Sequence, residues 1–215
     1  MSDRSLPETD GTVGPVLRVA AGRAVYVGPS LRLAPHSTSV HCLVVGVDAP
    51  FDLRVDGIPD VVAHSALVSP RRVHQVVASG HTMMFGYLDA TAHRAGEHLD
   101  RMLDVRDGFA FGHRDEDRLI TLANHGTVGE IDELLCTTDS STMDVRIRAA
   151  IDHLADPDVG PTVDTSAVAV AARVAMSPSH FLHVFAAQTG TSFRRYKLWL
   201  RMLRVAAAIA DGQNL

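Results

Sequence analysis

RVAMSPSHFLHVFAAQTGTSFRRYKLWLR, residues 173–201, contains no Asp or Glu, although the chain carries a formal net charge of −5. Ser177-Pro178 reads as a helix start: a serine side chain caps free backbone amides, and proline fits the first helical position, where no N–H is needed. Phe181, Val184 and Phe185 fall on one face of the helix that follows. Gly190 suits its C-terminus, where the backbone turns left-handed. Ser192 is then placed to cap a longer helix running from Phe193 towards Ala210. The order of helix, three-residue turn, amphipathic helix and basic helix is that of a helix-turn-helix. Ser179, Leu182 and His183 lie away from the phenylalanine face, where base edges in a major groove come within reach. Arg194, Arg195 and Lys197 stand at the start of the next helix, where the helix dipole and side-chain charge both favour phosphate.

Outward from this stretch the charge is lopsided. From Ser166 to Ala210 there are six cations (Arg173, Arg194, Arg195, Lys197, Arg201 and Arg204) and no acid, so the rest of the chain carries −11. Such asymmetry points to a polyanionic partner at one end. Upstream, Val145, Ile147, Ile151 and Leu154 predict a short amphipathic helix. Ser166 to Ala175 predicts an Ala-rich one that packs through Val168, Ala171, Ala172 and Val174.

Residues ~15–90 read differently. Short apolar runs such as VLRVAAGRAVYVG, HCLVVGVD and SALVSP alternate with Gly, Pro and Asp turn signals, and Val55-Asp56-Gly57 has the composition of a hairpin turn. Many short, evenly spaced strands indicate a sandwich or small barrel. Residues ~91–137 are expected to be helical, from AHRAGEHLDRML through DEDRLITLANHG to TVGEIDELLC. Leu119, Leu122, Ile131, Leu134 and Leu135 form apolar stripes, and Thr127 with Glu130 forms a capping box. The polar run 136–142 reads as a linker. The expected organisation is a disordered tail at 1–14, a barrel with packed helices at 15–137, a linker at 138–142 and a helical domain at 143–215. The fold class is α+β.

The remaining totals exclude several classes. No run approaches the ~18 apolar residues of a membrane span. The polar N-terminus lacks the basic start and apolar core of a signal peptide, so a cytoplasmic protein is expected. Cys42 and Cys136 are lone cysteines without a CxxC, and reduced packing roles are expected of both. Nothing resembles a catalytic triad, a phosphate loop or a paired-carboxylate site, and no enzyme activity or cofactor is expected. Tyr196 and Trp199, spaced with Leu200, Leu203 and Val205, read as core. His93 and His98 read as surface residues.

On residues 171–201 the chain resembles the first helix-turn-helix of the AraC-type transcription regulators. The matching positions are Ala171, Met176 to Phe181, Phe185, Thr189-Gly190, Ser192-Phe193, Tyr196 and Arg201. DVRIRAAIDHL resembles the first helix of that domain, and APFDLRVDG with SALVSPRRVHQVVASG is similar to the family's cupin-like sensor barrel. The resemblance implies a ligand-responsive regulator that binds double-stranded DNA through Ser177, Ser179, His180, Leu182, His183, Arg194, Arg195 and Lys197. It implies a small-molecule effector in a barrel pocket lined by His36, His41, Phe51, His74 and Tyr87, and a homodimer held by the helices at ~115–136. His36, His41 and His74 also fall where a cupin would hold a metal, but no Glu follows His41 closely. A cupin-type metal enzyme is the alternative from another class. The family carries two helix-turn-helix units, and residues 211–215 fall where the second would begin, so a sensor and dimerisation fragment without DNA binding is a third expectation. Family members often carry Arg at the place of His183 and a polar residue at that of Leu182, which predicts weak DNA binding by this unit alone.

Overall fold

The structure is a computed structural model that describes residues 15–20, 22–89, 98–135, 143–156, 158–159 and 162–210. The expected tail at 1–14 and linker at 138–142, as well as His93 and Cys136, lie outside the described residues. Among its described residues the N-terminal half holds ten strands: β1 (Val16–Ala20), β2 (Arg23–Pro29), β3 (His41–Gly46), β4 (Phe51–Arg54), β5 (Val61–Ala63), β6 (Ser65–Val68), β7 (Gln75–Ala78), β8 (Thr82–Leu88), β9 (Met102–Arg106) and β10 (Phe109–His113). Every pairing among them is antiparallel. Seven strands form one sheet in the order β1-β2-β8-β3-β6-β10-β9, and three form another in the order β5-β4-β7. The turn at Asp56-Gly57 joins β4 to β5 as its composition predicts, with Gly57 at φ +83°.

Strand alternation sorts the side chains between two cores. Cys42, Val44, Phe51, Leu53, Val76, Met83, Phe85 and Phe111 meet between the sheets. Val25, Leu43, Val45, Met84 and Leu88 point the other way, to helices α1 (Glu116–His125) and α2 (Val128–Leu135), which supply Leu119, Ile131 and Leu135. Leu135 seats over Gly86, where an added Cβ would lie 3.0 Å from its Cδ1. The Thr127–Glu130 capping box forms as expected, with the Thr127 N–H 2.7 Å from Glu130 Oε2 and the Glu130 N–H 3.2 Å from Thr127 Oγ1.

One expected helix ends early. Of the segment 92–103, expected to be helical, residues 92–97 lie outside the described residues, 98–100 are helical, and the chain then enters the β9–β10 hairpin at Met102. Asp107 and Gly108 turn that hairpin with φ of 48° and 83°, the paired positive values of a two-residue type I′ turn. His98, expected at the surface, is buried, with its Nδ1 2.9 Å from Nε2 of His113.

The C-terminal half is all helical: α3 (Val145–Ala155), α4 (Ala167–Arg173), α5 (Pro178–Thr189) and α6 (Phe193–Ala210). Ile147, Ala150, Ile151, Leu154, Val170, Ala171, Phe181, Phe185, Tyr196, Trp199 and Leu203 form its core. Val145 and Val168, expected to pack, are 78% and 63% exposed; Val205 and Ala172 are exposed as well, and Val170 takes the inward place on α4. This core reaches Ala24, Leu17, Val19 and Tyr87 on the sheet. Val19 pairs with Ala24, Ala24 with Tyr87, and Tyr87 with Cys42, so these residues share the inner face of the large sheet. The small sheet covers one part of that face and α6 docks on the part formed by β1, β2 and β8.

Candidate nucleic-acid interface and interdomain groove

The helix-turn-helix is built from local signals. Ser166 caps α4, accepting the Ala169 N–H at 3.2 Å. The turn passes through Ala175 at φ 54°, a left-handed position for a residue with a Cβ. Ser177 caps α5 by accepting the His180 N–H at 3.4 Å, Pro178 opens the helix, and Gly190 closes it at φ 67°. Phe181, Phe185, Phe193 and Tyr196 lock α5 to α6 with ring centroids 5.2–5.5 Å apart and mostly edge-on. Edge-on aromatic pairs contribute about 1 kcal/mol each beyond area burial.

With both phenylalanines of α5 turned inward, its opposite face is open. Ser177, Ser179, His180, Leu182 and His183 are all exposed. A helix of 12 residues is ~18 Å long and ~10–12 Å across, dimensions that a B-DNA major groove admits. The expected base-reading residues therefore share one free surface.

The three basic residues at the start of α6 do not share one environment. Arg194 is exposed. Arg195 donates from Nη1 to the Ser37 hydroxyl of the barrel at 3.1 Å. Lys197 donates to the Thr165 carbonyl at 2.8 Å and lies 5.8 Å above the Phe193 ring. Between α6 and the barrel runs an open groove of about 910 Å³, lined by Ser37, Ser39, Arg194, Arg195, Lys197 and Arg201 among others.

A buried carboxylate marks the junction of the two halves. Asp89, just past the end of β8, is 1% exposed and accepts the Tyr196 hydroxyl at 2.8 Å and the Trp199 indole N–H at 3.2 Å. Trp199 also packs on Tyr87, with ring centroids 6.2 Å apart. Asp89 and Ser37 escaped the sequence reading. The only sign of Asp89 is an acid at the end of the apolar run MMFGYL.

The residues expected to line an effector pocket divide between two faces. His36 and His74 pair as an isolated bridge with rings 4.8 Å apart. Together with Tyr87, Cys42 and Phe85 they border a space with room for about 10 Å³, barely one water. Phe51 is fully buried in the core between the sheets. His41 does not join them. It pairs across the sheet with Leu88, which packs towards α1 and α2, so strand parity puts it on the opposite face from Tyr87. Burial lowers the His41 imidazole to about 4 and raises the Cys42 thiol to about 12. Burial also lowers His74, chiefly, with a further push from His36 and an opposing hydrogen bond to the Arg72 carbonyl. Among the described residues no three His, Cys, Asp or Glu side chains converge as metal ligands. No helix among them is long and apolar enough to cross a membrane.

The helices expected at a dimer interface direct their stripe inward. Leu119, Ile131 and Leu135 pack on the chain's own sheet, while Asp117, Arg118, Thr121, Glu130 and Glu133 face outward.

No family model matches the sequence, and no curated protein matches it significantly. Solved structures do. Wild-type ToxT from Vibrio cholerae, with a bound unsaturated fatty acid, is similar over 92% of this chain and 84% of its own, with a TM-score of 0.54 at 7% identity. The AraC-like transcriptional activator CuxR matches over 88% of this chain and 76% of its own, at 15% identity and a TM-score of 0.32. An RmlC-like cupin protein from Desulfovibrio desulfuricans matches 40% of this chain and 93% of its own, at 14% identity and a TM-score of 0.28. At 7% identity the likeness to ToxT is one of fold, and it spans both the β-sheet half with its packed helices and the all-α half that follows.

Proposed function

We propose that the chain is a ligand-responsive, DNA-binding transcription regulator of the AraC type, acting in the cytoplasm as a homodimer. The barrel half, 15–137, senses. The helical half, 143–215, lays α5 in a major groove of double-stranded DNA. The observation that carries this reading is the open face of α5, with Ser179, His180, Leu182 and His183 exposed together within a segment free of acids. The fold shared with ToxT supports the same reading. Arg194, at the N-terminal end of α6, supplies a phosphate contact from side-chain charge and helix dipole together. Pairing two copies doubles the base contacts and raises avidity where one unit binds weakly.

Fluorescence anisotropy of the purified chain with duplex DNA across a salt series tests this. The logarithm of affinity is expected to fall linearly with the logarithm of salt concentration, and Arg194→Ala to flatten that slope by about 0.9, the share of one phosphate. Absence of binding at low salt sinks the reading.

A further inference from the structure

We propose that the groove between α6 and the barrel is a binding site for a small polyphosphate-bearing ligand, which clamps the two halves together when bound. The proposal deepens the regulator reading, because it places the effector in this groove and outside the barrel interior. Three observations point to it.

First, the space inside the barrel near His74 and Tyr87 has room for about 10 Å³, whereas the groove offers about 910 Å³. Ligand sites generally fall at ~300–1,000 Å³ and favour domain junctions.

Second, the lining has one sign of charge. Arg194, Arg195, Lys197 and Arg201 contribute four cations, Ser37 and Ser39 add hydroxyl donors, and no acid among the described residues lines the groove. Asp164, close enough to feel Lys197, turns its carboxylate to Ser166 instead, 2.8 Å from the N–H and 3.2 Å from the hydroxyl. Seven residues of helix separate Arg194 from Arg201, about 10 Å along the axis. Guanidinium forks bind phosphate oxygens in pairs, so a row of them suits linked phosphates better than a lone carboxylate.

Third, the walls belong to different halves. Ser37 and Ser39 lie on the barrel, and the cations lie on α6. The Arg195–Ser37 bond, at 3.1 Å, already crosses the groove. A ligand touching both walls favours the docked arrangement by its differential affinity for it.

The test is isothermal titration calorimetry of the whole chain with inorganic pyrophosphate at constant ionic strength, beside duplex anisotropy under the same conditions. Arg201→Ala and Ser39→Ala are the variants. Both positions are at least partly exposed, so both variants should melt like the parent. Saturable binding of one pyrophosphate, weakened about tenfold or more by Arg201→Ala, is expected from loss of a charge-assisted hydrogen bond. A several-fold loss with Ser39→Ala would place the barrel wall in the site. No saturable heat, or equal affinity in parent and both variants, overturns the proposal. If pyrophosphate fails to bind but duplex DNA binds and weakens with Arg201→Ala, the groove is a DNA-backbone contact and the small-ligand proposal falls while the regulator reading stands. If pyrophosphate binds with the expected variant losses and duplex DNA does not bind, the groove stands and the DNA-reading assignment falls.

Discussion

Tyr196 donates its buried hydroxyl to the Asp89 carboxylate at 2.8 Å, and by this bond the long helix of the helical half is tied to the residue just past the end of β8. Trp199 adds a second donor to the same oxygen at 3.2 Å. A buried carboxylate is costly unless its lone pairs are satisfied. Tyr196→Phe removes one donor and leaves the ring packing in place, so it should cost about 2 kcal/mol. The same change loosens the surroundings of Trp199, the lone tryptophan, so its emission should shift to the red. Urea unfolding and a fluorescence spectrum check both. An unchanged midpoint would mean that water replaces the hydroxyl and that the bond does not hold the halves together.

Asp132 of α2 occupies a comparable position on the other face of the sheet. It is 4% exposed and accepts from Arg23 Nη2 at 3.0 Å and from Arg18 Nε at 3.2 Å. Burial works to raise its carboxyl, but the hydrogen bonds and charges of Arg23 and Arg18 outweigh it and hold the group below its usual range. Asp132→Asn should cost about 3 kcal/mol, because it leaves two guanidiniums facing a neutral amide. A loss below about 0.5 kcal/mol in urea unfolding would show that solvent already serves the two arginines.

Acid should act in two stages. His41, His74 and His113 all stand below the ordinary imidazole value, chiefly through burial. Beside His113, Asp115 and Glu116 oppose the shift and Arg101 adds to it. A group whose folded pKa is lowered binds protons more readily when unfolded, so stability is intact above the unfolded value and falls as pH drops. For His41 the window runs from 6.5 to about 4 and corresponds to about 3 kcal/mol. Asp132, also lowered, adds a second loss below its ordinary value of 3.8. Urea midpoints between pH 7 and 4 should therefore decline, and His41→Gln should flatten the decline. A profile level down to pH 4 refutes the assignment.

Ala175 sits in the helix-turn-helix turn at φ 54° and is exposed. A left-handed backbone costs a Cβ-bearing residue about 1–2 kcal/mol, and glycine is free of that cost but loses more chain entropy on folding. Ala175→Gly should then stabilise the helical half by about 0.5 kcal/mol, read as a higher thermal midpoint. Destabilisation would mean that the Cβ makes a contact worth more than the strain.

What was legible in the sequence follows the range of the signal. Ser177, Pro178, Gly190 and the Thr127–Glu130 box act within a few residues, and each forms as its sequence predicts. The start of the β9–β10 hairpin was hidden because Met102 and Leu103 continue the helical spacing of Leu99, which is itself helical, although Asp107-Gly108 carried the turn signal. His41 went to the wrong face because a single register step inverts a strand's side chains, and only the pairing with Leu88 fixes that register. His98 found His113 across 15 residues, and Asp89 found Tyr196 across 107. No periodicity reports contacts at such separations, and with them the docking of the two halves lay beyond sequence reading.

His183 provides the sharpest check on the reading face. It is exposed on α5, with Ser179, His180 and Leu182 beside it and the phenylalanines behind. A neutral imidazole exchanges hydrogen bonds with a base edge but contributes no charge against phosphate. Arginine at this place adds a fixed cation with paired donors, the side chain that most often reads guanine in the major groove. His183→Arg should tighten duplex binding about tenfold at low salt and raise the salt slope by up to 0.9. The exposed site leaves folding unaffected, so melting curves of parent and variant should coincide. Affinity that stays level or falls at fixed salt would mean that α5 does not face the groove, and that the open surface of the helix serves another partner.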